Sequence, residues 1–380
     1  MTDVAPGFET LRSLCASVLR GEGAGSMLGS VVPEDLLALA ERHRVVPLLA
    51  AGASAATAAP LRRRMLALAQ LTVRLERELA EIAACLSAAR VEFLVLKGPA
   101  MARQAYPVPE WRAYDDLDLW VASRDLDAAL AALAAAGYRR MPPLDARTAA
   151  CARRAGIEAA LAHPERRRLV EMSHGDRALA TTARAAKEVR SGAVELEVAG
   201  ARVRAPAPRH ALLLACAHGA HHCWDRLGWV ADVAGLWMRL SAADREDART
   251  MASRWRMETI LGLGLRLAAD HFGVRLDGPA VALAEAARVR SLAARVGLEQ
   301  IGADSARAAM PERLRFERDA LDSVFQRAQI MAGWIFHPTM GDIDAVPLPR
   351  ALYPLYAVVR PLRLLRHPWW RDWRTFVARR

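Results

Sequence analysis

Lysine is nearly absent from this chain. Lys97 and Lys187 are the only lysines among 53 basic residues, so the net charge of +11 comes from a chain-wide preference for arginine and is weak support by itself for a nucleic-acid partner. Long apolar runs are missing too. None reaches the roughly 18 residues a membrane span needs, and the first residues lack a basic stretch followed by an apolar core. These two absences lead to the expectation of a cytoplasmic protein with no transmembrane segment. The five cysteines, Cys15, Cys85, Cys151, Cys216 and Cys223, are odd in number and hold no Cys-x-x-Cys pair. That pattern argues against a disulfide framework and a zinc ribbon. There is no internal repeat, which removes solenoid and propeller architectures.

What is present is concentrated between residues 91 and 121. Residues 91–96 form a strand-like apolar run that Lys97-Gly98-Pro99 stops. Gly98 lets backbone amides approach a phosphate closely. In a chain that uses arginine almost everywhere, Lys97 suggests that a compact point charge is wanted there; a surface lysine is the plain alternative. Further on, Asp116, Asp118 and Trp120 alternate with Leu117, Leu119 and Val121. A period of two puts both carboxylates on one face of a strand. Two adjacent anions are costly to bury partly unless a cation neutralises them, and oxygen ligands of this kind suit magnesium.

These residues carry a resemblance. Leu96-Lys97-Gly98, Tyr106, Arg112, Asp116-Leu117-Asp118-Leu119 and the later Leu133-x-x-x-Gly137-Tyr138 resemble a family of uncharacterised bacterial nucleotidyltransferases related to the DNA polymerase beta superfamily. The similarity continues through residues 41–49, through His218-x-x-His221-His222 with Trp224, Arg226-Leu227, Trp229-Val230 and Asp232, and through Arg360-Pro361-Leu362-Arg363. It therefore touches most of the chain from about residue 35 to 365. The resemblance implies that Lys97 and Gly98 face a nucleoside triphosphate and that Asp116 and Asp118 bind Mg2+. It also calls for a third carboxylate on a later strand, for which Glu171 is the candidate. The family places His-Trp after that acid, whereas Ser173-His174 stand here, and a salt bridge between Glu171 and one of Arg166, Arg167 or Arg168 is the alternative. Arg112 is either a charge stabiliser at the nucleotide or the partner of Asp115.

The surrounding pattern is α+β and mostly helical, with a small mixed sheet between N-terminal and C-terminal helical regions, and the resemblance implies that this sheet is of polymerase-beta-like type. Helical spacing covers residues 74–89, and residues 99–106 make a short helix or turn. Ser123 is a candidate N-cap for a helix with Asp125 and Asp127 in its first turn, ended by Gly137. Residues 168–174 read as a third strand, with a hairpin around Gly200 formed by 194–198 and 202–205. Beyond Pro208 the pattern is helical to about Gln329. At 380 residues, two or three packed units are expected, and the division drawn is an N-terminal helical region (1–72), a catalytic domain (73–207) and a helical domain (208–345), followed by a basic aromatic segment (346–380). Residues 50–59 read as a link between helices.

His218 and His222 lie one helical turn apart. Structural packing, a cleft-lining role shared with Asp232, and zinc ligation are the three readings, though no Glu follows His218 as a metalloprotease helix requires. The tail alternates Arg366, Arg371, Arg374, Arg379 and Arg380 with Trp369, Trp370, Trp373 and Phe376. Arginines attract phosphates, and aromatics stack on bases or sit in a lipid interface. The expected activity is magnesium-dependent transfer of a nucleoside monophosphate from a nucleoside triphosphate such as ATP to an acceptor, releasing pyrophosphate. A small molecule, peptide or protein is favoured as acceptor over RNA. The alternatives are a catalytically degenerate nucleotide- or partner-binding protein of the same fold and an RNA-directed transferase.

Overall fold

The structure, a computed structural model, describes residues 7–22, 33–53, 58–165, 169–175, 183–298 and 310–366. Arg166 to Arg168, part of the 50–59 link and the tail from His367 lie outside the described residues. Five strands form one mixed sheet: β1 (Phe93–Val95), β2 (Asp116–Val121), β3 (Arg139–Arg140), β4 (Ala159–Ala162) and β5 (Leu169–His174), in the spatial order β1-β2-β5-β4-β3. Only β2 and β5 run parallel. A separate hairpin joins β6 (Val194–Val198) to β7 (Ala201–Ala205). Ala199 and Gly200 both have positive φ at its turn, the two-residue geometry that matches strand twist.

One face of the sheet is dry. Leu117, Leu119, Val121, Val170 and Met172 meet Leu75, Leu79, Ile82 and Leu86, which recur at helical spacing on the long helix Ala58–Ala88. Each such fully buried side chain stabilises the fold by roughly 1.5–3 kcal/mol. The helix Leu126–Ala135 adds Leu126, Ala129 and Leu133 to the same layer. The residues expected as a helix at 74–89 are the end of this one long helix, so the boundary drawn at 72/73 falls inside it. A second core unites the N-terminal helices with those after Pro208 and takes in Met101 and Trp120.

Two local expectations change. The helix after β2 begins at Leu126 with Asp125 at its N-cap position, while the Ser123 hydroxyl lies 3.4 Å from His174 Nδ1 instead of capping. Residues 139–162, unassigned from sequence, hold β3, the helix Ala146–Arg154 and β4. Strand β4 reads Ala-Ala-Leu-Ala, which has no β-branched or aromatic residue to signal it. Helices also continue past Gln329, to Tyr356–Arg366.

Candidate active site

Register on the sheet brings the acids together. Asp118 pairs with Glu171 across the parallel β2–β5 ladder, on the face opposite the dry core, with Asp116 two residues back along β2. Adjacent strands lie about 4.8 Å apart, so these carboxylates are immediate neighbours. Glu158, one residue ahead of β4, borders the same cleft. Sequence reading missed it, although Ile157-Glu158-Ala159 has the same apolar-acid-apolar form as Val170-Glu171-Met172.

The group repels itself. Burial, then Asp118, Asp116 and Glu158, raise the Glu171 carboxyl from the ordinary 4.5 to about 7, against the pull of Lys97. Asp116 is raised by burial, then by Asp118 and Asp115. Glu158 is raised by burial, then by Asp118. Lys97 is the counter-charge beside them, with Nζ 3.2 Å from Asp118 Oδ1. Gly98 follows at φ 54°, ψ −125°, a conformation that an L side chain rarely adopts, and a Cβ there would sit 3.4 Å from the Asp116 carbonyl oxygen.

Arg112 lines the cleft, and its carboxylate partner is Asp232 and not Asp115. Its Nε donates to Asp232 Oδ1 at 2.9 Å and its Nη2 to Oδ2 at 3.0 Å, a two-pronged pair, while Tyr106 donates its hydroxyl to the same Oδ1 at 2.9 Å. Asp115 pairs instead with Arg44, at 2.8 Å on the surface. Burial works against the Arg112 charge, but Asp232 more than offsets it and holds the guanidinium protonated. The fork of Arg112 is therefore occupied by a carboxylate, and its Nη1 lies 3.4 Å from the Gly98 carbonyl oxygen. Asp232 arrives on the helix Leu227–Arg239, which crosses the helix Pro99–Ala105 at Gly235. A Cβ on Gly235 would stand 2.1 Å from the Ala105 carbonyl oxygen, so only glycine permits this approach.

The histidines of the helix Pro208–His221 separate into different roles. His218 borders the cleft; His222 does not, and the more exposed His221 does. Burial lowers His218 to about 2 and His222 to about 4, so both are neutral at physiological pH. Their rings pack on each other at 4.6 Å and on Trp229 at 5.2 and 4.9 Å. His221 Nδ1 instead meets Glu317 Oε1 at 2.8 Å. Among the described residues no three His, Cys, Asp or Glu side chains form a ready-made metal cluster, either here or at the acidic face.

The cleft encloses about 1020 Å³. Asp118, Glu158, Glu171 and Lys97 form its polar side, and Trp229, Trp255, Trp334 and Arg360 contribute to the rest. Drug-sized ligands fill pockets of about 300–1,000 Å³, so the cleft lies at the upper end of small-molecule sites.

No curated protein and no solved structure matches this chain. A family model described as "Uncharacterised nucleotidyltransferase" matches residues 30–273. The match takes in Lys97, Asp118, Glu171 and Asp232 and stops before the helices that bring Trp334 and Arg360 to the cleft. Since it spans more than half of the chain, the protein belongs to this nucleotidyltransferase family.

Proposed function

We propose that the protein transfers a nucleoside monophosphate from a nucleoside triphosphate to an acceptor in a magnesium-dependent reaction that releases pyrophosphate. The observation that carries this reading is the side-by-side placement of Asp118 and Glu171 on the cleft face, with Asp116 and Glu158 beside them. The donor set suits magnesium in kind: it is all carboxylate oxygen, partly buried and short of positive charge. Asp116, Asp118 and Glu171 would hold the ion. Bound there, it would supply charge neutralisation at the phosphates and at the attacking oxygen.

The chain's own groups have distinct tasks in this scheme. Lys97 turns from Asp118 toward the triphosphate once the acids are neutralised. Gly98 keeps the turn after β1 free of a side chain where the phosphates lie. Arg112, fixed by Asp232 and Tyr106, acts as a positioning residue that braces this turn through the Gly98 carbonyl. Glu158 holds the acceptor hydroxyl and takes its proton at a carboxylate oxygen. The acceptor oxygen then bonds to the α phosphorus, the bond from that phosphorus to the bridging oxygen breaks, and pyrophosphate leaves.

Trp229, Trp255 and Trp334 give the cleft flat apolar surface for a base and for an acceptor of modest size, which favours a small molecule or a peptide end. Among the described residues no helix is long and apolar enough to cross a membrane. A cytoplasmic site of action is part of the proposal, since nucleoside triphosphates are available there. The test is incubation with each labelled nucleoside triphosphate, magnesium and fractionated acceptor pools, followed by mass analysis. An added nucleoside monophosphate that Asp118→Asn abolishes is expected. Triphosphate binding without any transfer would favour a degenerate binding protein, and label on RNA would favour an RNA-directed enzyme.

A further inference from the structure

The cleft has walls of opposite charge. On the sheet side, Asp118, Glu158 and Glu171 outnumber Lys97. Another wall comes from the helices Val324–Phe336, Met340–Ala345 and Tyr356–Arg366, which Arg360 ties together. Its Nε donates to the Trp334 carbonyl at 3.3 Å and its Nη1 to Asp342 Oδ2 at 3.0 Å, while its Nη2 has no partner among the described residues. Asp342 is shared, because Arg363 Nη1 donates to Oδ1 at 2.6 Å, so two guanidiniums rest on one buried carboxylate. One positive charge is left over. The Arg363 side chain is 38% exposed and water covers it, whereas that of Arg360 is 13% exposed and lines the cleft. A nearly buried guanidinium with an unpaired donor favours an anion, and its planar fork matches a carboxylate or a phosphate. Space is open beside it. Gly333 lines the cleft next to Trp334, and a Cβ there would meet nothing within 4 Å.

We propose that this wall is the acceptor subsite, and that it takes a small molecule with an anionic group, a carboxylate or a phosphate, on an apolar body. Arg360 holds the anion, and Trp334 and Ile330 on the adjoining helix give the body an apolar surface. The inference rests on the reaction proposed above for calling this ligand the acceptor; the anion site itself stands on the geometry of Arg360. Charge separates the two ligands. Lys97 and magnesium at the acids draw the triphosphate to the sheet, while the acids repel a second anion that has no metal of its own. Arg360 is the cationic position on the other wall. The acids nearest to it do not compete for that place: Asp344 is exposed and does not border the cleft, and Glu317 lies 2.8 Å from His221. A single fork suits a ligand with one anionic group, whereas a nucleic-acid strand calls for a run of cations along its backbone.

The experiment is calorimetry of the full chain in metal-free buffer with three probes: phenyl phosphate, phenylacetate and the neutral benzyl alcohol. Binding of at least one of the two anions, and not of the alcohol, is expected, and the stronger one tells phosphate from carboxylate. Arg360→Met should weaken that binding by at least about ten-fold, since a charge-assisted pair is lost. Gly333→Leu should weaken it to a similar degree by filling the open space; it leaves every charge in place and suits a helix better than glycine, so it gives the readout should Arg360→Met melt early. Lys97→Met should bind the probe as wild type does, because the triphosphate side is not involved. The subsite is overturned by absence of anion binding, by equal binding of the alcohol, by binding that neither Arg360→Met nor Gly333→Leu weakens, or by binding that Lys97→Met abolishes. Failure of the reaction reads differently: anion binding lost in Arg360→Met with no nucleotidyl transfer to any acceptor leaves the anion site standing and removes the transferase. Transfer to a neutral acceptor, with triphosphate and acceptor KM both unchanged in Arg360→Met, does the opposite.

Discussion

Asp232 and Glu171 border the same cleft, and the chain surrounds them in opposite ways. Asp232 is fully matched: it receives two bonds from Arg112 and one from Tyr106, so its charge is balanced by geometry. Glu171 has acids for neighbours on its own strand pair and across to β4, with Lys97 already at Asp118. Where the chain needs a rigid joint between its helical and sheet parts, it pairs charges. On the face proposed for the reaction, it leaves negative charge in excess. The surface pair Arg44–Asp115 is a third case, since an exposed pair of this kind contributes about 0–1 kcal/mol.

The largest expected effect lies on the unmatched side. Asp118→Asn should lower nucleotidyl transfer by at least about a thousand-fold, the loss of several kcal/mol of charge stabilisation at the phosphates. Its Tm in metal-free buffer should change little, because the repulsion from Glu171 goes together with the Lys97 ion pair. Pyrophosphate release and thermal melting, measured on the same preparation, check both halves. An Asp118→Asn enzyme with full activity removes the acidic face from the mechanism.

The matched side should behave in reverse. Asp232→Ala leaves the Arg112 guanidinium buried without its carboxylate, at a cost of about 3 kcal/mol in folding stability. The double variant Arg112→Met/Asp232→Leu should recover most of that loss in denaturant titration, since it removes both charges. Equal stability of Asp232→Ala and wild type would show that the joint is not held by this pair. Glu158→Gln is a smaller step: an expected drop of roughly a hundred-fold in kcat with little change in triphosphate affinity, read by steady-state kinetics on the identified acceptor. A change confined to triphosphate KM would move Glu158 from the acceptor side to the nucleotide side.

Much of the sheet is written locally, and for that reason it could be read. The alternation around Asp116 and Asp118 and the stop at Lys97-Gly98 are short-range signals, and β1, β2, β5 and the Gly200 hairpin lie close to where those signals put them. The alanine-rich strand β4 carries no such signal, so Glu158 beside it went unseen. The partner of Arg112 was illegible for another reason. Asp232 is 120 positions away, and pairing at that distance depends on how two helices cross at Gly235, which neither sequence neighbourhood records. Nearby Asp115 was the local choice, and it faces Arg44 on the surface instead.

The finest expected effect is a pH slope. The folded protein raises Glu171 from 4.5 to about 7, so between those values it binds this proton more tightly than the unfolded chain does. Stability from this group is therefore full below 4.5, declines as pH rises, and is lost above about 7. Other carboxyls, such as Asp342 beside its two arginines, are lowered and slope the opposite way at more acidic pH, so the comparison is wild type against Glu171→Gln. In metal-free buffer the two should melt together toward pH 4.5, and the glutamine variant should melt higher above pH 7. Magnesium added above pH 7 should raise wild type selectively, since a cation at the acidic face removes the repulsion that the glutamine already lacks. A wild-type curve parallel to the variant across this range would mean that Glu171 is not under the strain its neighbours impose, and the contrast with Asp232 would then rest on Asp118 alone.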